Sequence, residues 1–268
     1  MANKYLGRDD APFGDKIWEA LDSLVIGAAK SRLSARKLLD VEGPYGLGLK
    51  HVPLADSVVA EGDVRMMASG AIPVPLIETF FTLTPRDLAG FEQTGLSLDT
   101  GAVAQAAMAA AEMEDALIYQ GNKQLGVPGL LTAEGVQSVK LGNWDDPEAA
   151  TGNVIEAVSA LDAVGFHGPY LLALSPGLHN KLHKLLPHGF RTGLAHVESI
   201  VGGKVVKAAG IAKGGVLLAT GAQFASIVIG QDMSVGFVGP EDSDLKFKIS
   251  ESVAPRIRVP ASICVLKA

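Results

Sequence analysis

Between Leu47 and Leu83 the sequence carries β-branched residues and three prolines, Pro53, Pro73 and Pro75, with no stripe at helical spacing. An extended stretch of about 30 residues with so little local reason to collapse is unusual inside a compact domain. Its physical reading is an arm whose partners lie on a neighbouring subunit. Composition points the same way. The chain has 268 residues, 48% hydrophobic and 19% charged, enough to bury a sizeable core as one or two domains. Its mean hydropathy of +0.26 is high, yet no apolar run approaches the roughly 20 residues of a membrane span. Surplus apolar surface in such a chain marks subunit contacts, so an obligate oligomer is expected.

The formal net charge of −6 and the lack of a dense Lys/Arg cluster argue against nucleic acid, whose phosphates are met by a basic face. Cys264 is alone in an apolar strand and reads as a small core residue. With no secretion signal read at the N-terminus, a cytoplasmic home is expected.

Along the chain, a first helix is predicted from Asp15, as N-cap, to about Lys37, with Ile17, Leu21, Leu24, Val25, Ala28 and Leu33 on one face. The segment Asp40 to Gly46 then reads as a sharp junction, since two glycines flank Pro44. A short helix is predicted over Pro85 to Thr94, with Thr84 as N-cap and Pro85 in its first turn. A long Ala-rich helix follows to about Gln120, with Asp99 as a candidate cap; uncharged from 100 to 111, it is expected to be buried almost all round there. From about Gly129 to Gly221 strands and helices alternate: helices over Thr151 to Val164, Pro176 to Leu186 and Thr192 to Val201, and strands over Tyr170 to Ser175, Lys204 to Ala209 and Val216 to Thr220. The strand-like runs from Phe224 to Lys267 are expected to return to the sheet of the first half, giving two interleaved subdomains.

Six blocks carry a family resemblance: Asp40 to Gly46, Glu112 to Gly121, Gly126 to Leu131, Gly168-Pro169-Tyr170, Gly230 to Phe237, and the last strand ending Ile263-Cys264-Val265-Leu266. In that order and spacing, from about residue 12 to the C-terminus, they resemble the family 1 (linocin-like) shell protein of encapsulin nanocompartments. The resemblance implies an α+β, HK97 phage-capsid fold and a non-enzymatic subunit that closes into icosahedral shells around a cargo enzyme. The cargo is a ferritin-like iron-storage protein or a dye-decolourising peroxidase, held by its C-terminal targeting peptide. The parts it implies are an N-terminal helix and junction (1–46), an extended arm, the E-loop, with the start of the P-domain (47–83), a peripheral P-domain with the spine helix (84–128), an axial α/β A-domain (129–221), and strands returning to the P-domain and E-loop sheet (222–268).

Carried over by motif, the cargo-peptide groove comprises Leu33, Arg36, Leu39 and Asp40 on the helix side and Asp232, Met233 and Val235 on the sheet side. Aliphatic side chains there would bury anchors of an extended peptide while the charged groups fix its direction. The bland alternative pairs Arg36 with Asp40 at i, i+4 and places Met233 in the core. His188, Gly189, Phe190 and Arg191 resemble the loop bordering the fivefold pore, where ring charge tunes which solutes pass. Several relatives hold a flavin against an aromatic residue in the short helix after the arm; here the matching position is Arg86, and no cofactor is expected.

Catalytic readings compete poorly. His179 and His183 share a helix face and could hold a metal, but no glutamate completes an HExxH pattern, and Lys181 and Lys184 would repel a cation. Glu112, Glu114 and Asp115 lack the histidines of a di-iron site and read as salt-bridging residues. Ser175 lacks the glycine frame of a hydrolase nucleophile, and Gly202-Gly203 and Gly214-Gly215 suit turns and lack the lysine of a phosphate cradle. Two rivals remain open at this point: a phage or prophage major capsid protein, and a metal-dependent hydrolase using His179 and His183.

Overall fold

The computed structural model describes residues 4–60, 63–96, 98, 100–186 and 191–268. Its first helix, α1 (Asp15–Lys30), buries Ile17, Trp18, Leu21, Val25 and Ala29. Gly14 is its N-cap, with Asp15 the first helical residue, and it stops seven residues before the expected end at Lys37. The cause is tertiary: the Asp115 carboxylate accepts from the amides of Ser34 and Ala35 at 2.9–3.1 Å, and these are no longer free to continue the helix. A 3-10 turn at Ala35–Lys37 leads instead into β1 (Asp40–Glu42).

The junction after β1 is as sharp as its glycines and proline require. The Gly43–Pro44 bond is cis, and Gly43 adopts a φ of 116°. A Cβ there would meet the Ile229 carbonyl oxygen at 2.4 Å, so the approach is open to glycine alone. Tyr45 and Gly46 then donate their amides to the carbonyls of Ile229 and Gly230.

The arm is a two-stranded antiparallel ribbon, β2 (His51–Ala60) with β3 (Met66–Pro73), that pairs with no other strand among the described residues. Val58, Val59, Met66 and Met67 lie 42–56% exposed along it, the apolar surface that an oligomer would cover. β4 (Leu76–Leu83) follows, then α2 (Pro85–Thr94), whose first turn is capped by Thr84 Oγ1 accepting from the Asp87 amide at 3.1 Å. The spine, α3 (Gly101–Gln120), packs through Val103, Ala106, Ala107, Ala110 and Ala111. It is not buried all round as expected: Ala102, Gln105 and Ala109 are exposed within the chain. The candidate cap Asp99 lies outside the described residues.

Two minor strands, β5 (Gly121–Asn122) and β6 (Val127–Pro128), close the turn after α3, and β7 (Gln137–Lys140), absent from the sequence reading, follows. Then come α4 (Pro147–Asp162), β8 (Tyr170–Leu174), α5 (Pro176–Lys181), α6 (Gly193–Val201), β9 (Val205–Lys207) and β10 (Gly215–Ala219). The chain ends in β11 (Ala225–Ile229), β12 (Ser234–Glu241), β13 (Asp244–Ile257) and β14 (Ile263–Lys267). The helix expected over Pro176 to Leu186 ends at Lys181, because the Leu182 and Lys184 carbonyls and the Leu186 amide bond to residues 191–194. α4 begins earlier than expected, at an Asp146 cap followed by Pro147.

Two five-stranded sheets organise these elements. In the first, β1–β11–β13–β12 run in order and β4 also pairs with β13, so the 14-residue β13 bridges both halves of the sheet. α1 and α3 cover one face, where Phe247 stacks on Phe81 at 5.1 Å and meets Trp18, Phe13 and Phe237. The second sheet has the order β7–β14–β10–β8–β9, with α4 and α6 packed on it.

Here the expectation for the C-terminal run is corrected. β11, β12 and β13 join the sheet of the first half, but a 3-10 turn at Pro260–Ser262 breaks the strand, and β14 crosses to lie between β10 and β7 in the second sheet. Ile263 to Leu266 are all buried there, and burial pushes the Cys264 thiol up to about 11. Among the described residues no helix is long and apolar enough to cross a membrane.

Candidate docking cleft beside the first helix

A cleft of about 290 Å³ opens between the last turns of α1 and the turn joining β11 to β12. One wall is Val25, Ile26, Ala29 and Leu33, spaced so that a single helical face and its continuation present them. The other wall is Met233 with Asp232, and Lys30 and Arg36 complete the rim and floor. Ile26 is half-exposed, so this face is apolar and open at once.

The turn before Asp232 is tied to β13 by its backbone. Gly230 donates to the Ser252 carbonyl, Ser252 returns a bond to the Gln231 carbonyl, and the Gln231 amide donates to Ser252 Oγ at 2.8 Å. The Gln231 side chain donates to Ser250, and Asp232 Oδ1 accepts from the Met233 amide at 2.9 Å. The carboxylate is thereby aimed at Arg36.

Arg36 is the hub of the floor. Its Nε and Nη2 make a bidentate pair with Glu114 at 2.7 and 2.8 Å, Nη1 donates to Asp232 at 2.9 Å, and Nη2 reaches Glu251 at 3.2 Å. Glu114 and Glu251 are almost wholly buried while Asp232 is half-exposed, so the guanidinium links an interior acid pair to the cleft surface. Burial alone would lower the Arg36 pKa, but Glu114 and Asp232 outweigh it and raise it. Burial, reinforced by the adjacent Glu114 charge, lifts the Glu251 carboxyl well above the usual carboxylate range. Next to Glu114 on the spine, Asp115 ties Ser34 and Tyr119 together through Ser34 Oγ, and burial raises both the Asp115 and the Tyr119 pKa.

Of the seven groove residues expected, the structure brings Leu33, Arg36, Asp232 and Met233 to the cleft. Leu39 and Val235 are instead packed in the hydrophobic core and do not line the cleft. Asp40 sits in β1 opposite Ser226 and does not line the cleft. The i, i+4 alternative fails too, since the partners of Arg36 are Glu114, Asp232 and Glu251. Val25, Ile26, Ala29 and Lys30 were missed as lining, although Ala29 and Leu33 share helical spacing. Glu114 does form an ion pair, as does Glu112 with Arg32 at 3.5 Å, while Asp115 binds backbone amides instead.

Elsewhere, His179 and His183 place their rings 5.4 Å apart. His179 is buried, its Nδ1 has no hydrogen-bond partner among the described residues, and burial followed by Lys207 and His183 lowers its pKa. Lys181 and Lys184 both lean on Asp145. Among the described residues no group of three His, Cys, Asp or Glu side chains could hold a metal ion. Of the pore-loop residues, His188, Gly189 and Phe190 lie outside the described residues, and Arg191 is exposed. Arg86 is exposed in the first turn of α2.

Residues 3–254 match the family model described as "Encapsulating protein for peroxidase". The chain belongs to the encapsulin shell-protein family. It is 31% identical to the type 1 encapsulin shell protein EncA of Myxococcus xanthus, over 98% of this chain and 96% of that protein. A ferritin-like-encapsulin shell fusion protein of Pyrococcus furiosus is 25% identical over 82% of this chain and 62% of its own length. A solved virus-like particle from Pyrococcus furiosus superposes with a TM-score of 0.75 at 24% identity, covering 94% of this chain and 99% of that one. The fold of this encapsulin is thus the HK97 type shared with phage capsid subunits. Its family is one of structural shell proteins and not of catalysts.

Proposed function

We propose that this encapsulin closes into an icosahedral shell in the cytoplasm and retains a cargo enzyme by seating that enzyme's C-terminal peptide in the cleft beside α1. The observation that carries the reading is the cleft itself: open apolar surface of Ile26 and the half-buried Met233, backed by the buried Leu33 and ending in a charged pair, Arg36 and Asp232. At about 290 Å³ it has room for side chains of an extended peptide. Two apolar anchors contribute roughly 1.5–3 kcal/mol each when fully buried. Losses of rotational freedom and ordering consume about 4–15 kcal/mol, so one peptide binds weakly. Many peptides on an oligomeric cargo facing many clefts add avidity without any new contact.

The exposed arm supports the assembly half of the reading, because the β2–β3 ribbon joins no further strand among the described residues and leaves its valines and methionines exposed. For the cargo, the family description names a peroxidase and the Pyrococcus furiosus relative carries a ferritin-like part. Both support a peroxidase or ferritin-like enzyme in the lumen. Purifying shells with whatever accompanies them, from wild type and from Leu33→Asp, tests the cleft. Intact shells that lose their cargo in the variant support the assignment; equal cargo recovery from both overturns it.

A further inference from the structure

The floor of the cleft holds more acid than base. The charged groups facing Glu251 are Glu114 from α3, Arg36 from the turn after α1, and Asp232 from the turn between β11 and β12. Three carboxylates therefore meet one guanidinium, and two of them are 0% and 1% exposed. Arg36 satisfies both Glu114 oxygens and Glu251 Oε2. Glu251 Oε1 is buried and accepts from no N–H or hydroxyl group among the described residues, while Glu251 Oε2 and Glu114 Oε2 converge on the same Arg36 Nη2 at 3.2 and 2.8 Å. Two buried carboxyl groups drawn to one guanidinium nitrogen favour a proton on one of them, since two ionised ones repel in a water-poor interior.

We propose that Glu251 carries a proton beneath the cleft, and that its loss to solvent loosens the Asp232–Met233 wall and releases a docked peptide. The release step rests on the docking reading above; the buried proton does not. With the proton in place, the acid pair carries one negative charge, and Arg36 divides its donors between that pair and Asp232. Without it, a second interior charge draws the guanidinium inward from Asp232. Asp232 also holds the Met233 amide, so the wall follows its anchor. At the same time Glu114 on α3 and Glu251 on β13 repel across the surface where helix and sheet pack. Burial and the Glu114 charge place this titration above the usual carboxylate range.

Two measurements on assembled shells test this. The first is the affinity of a labelled synthetic copy of the co-purifying protein's C-terminal peptide, from about pH 5 to about pH 9, for wild type, Glu251→Gln and Glu114→Gln. Wild-type affinity is expected to fall by up to about tenfold per pH unit above the titration, the limit for one linked proton, while both amide variants stay flat. The second is the infrared C=O band of a protonated buried carboxyl in empty shells, expected in wild type, lost as pH rises, and missing from Glu251→Gln. The same pH profile in wild type and Glu251→Gln overturns the switch, and absence of the band from wild type at every pH overturns the buried proton. Failure of the peptide to bind at any pH, with the band behaving as expected, overturns the docking reading and the release step but upholds the proton.

Discussion

Replacing Arg36 by alanine removes the one cation that Glu114, Glu251 and Asp232 share. Glu114 is 0% exposed and loses two charge-assisted bonds of 2.7 and 2.8 Å, with no water-facing route to recover them. Truncating one partner of a buried ion pair costs about 3–5 kcal/mol, mostly because the remaining charge is left without compensation. For a chain of this size that corresponds to a fall in melting temperature of roughly 6–20 °C. Arg32→Ala is the internal control: its pair with Glu112 is 3.5 Å long and both side chains are 42–58% exposed. Exposed pairs of that kind are worth about 0–1 kcal/mol. Thermal scans at one rate, followed by the fluorescence of Trp18 in α1 and Trp144, compare the two variants directly. Equal losses, or a loss below about 1 kcal/mol for Arg36→Ala, would refute the idea that Arg36 compensates a buried acid pair.

The aromatic cluster and the second carboxylate network give two further tests. Phe247→Ala removes the ring on which Phe81 stacks at 5.1 Å in a fully buried site; a loss of about 3–5 kcal/mol is expected in the same scans, and a loss under about 1 kcal/mol would show that the site collapses freely. At Glu42 burial opposes ionisation, but the Ser226 hydroxyl and Arg258, with Arg256, outweigh it and hold the carboxyl below its ordinary pKa. A lowered folded-state pKa contributes stability above the unfolded value of about 4.3 that disappears as pH falls through the folded value. The difference in melting temperature between wild type and Glu42→Gln should therefore shrink on acidification, and a constant difference would contradict the assigned network.

How much of this the sequence discloses depends on how local the cause is. α2 could be placed to the residue because Thr84, Pro85 and Asp87 act within one turn. The arm was legible because it lacks any periodic stripe. The end of α1 was not, since the carboxylate that stops it, Asp115, lies 81 residues from Ser34. The sheet chosen by β14 was hidden for a related reason: Ile263 to Leu266 are buried on both faces, and such a run fits the centre of either sheet.

In the cleft, Leu33, Arg36, Asp232 and Met233 came from motif resemblance, which transfers positions but not the side of the backbone on which they stand. Val235 follows Met233 by one strand repeat yet faces the aromatic core, because Met233 lies before β12 begins. Glu114 and Glu251 carried no readable signal as a pair: they are brought together from α3 and β13 only by the packing of helix on sheet.

The most direct measurement of the whole account is electron cryomicroscopy of purified protein that still carries its co-purifying partner. Closed hollow particles, with α1 on the luminal side and peptide density along Ile26, Leu33 and Met233, are the predicted result. Small open oligomers, or closed particles whose partner density lies away from that cleft, would contradict it.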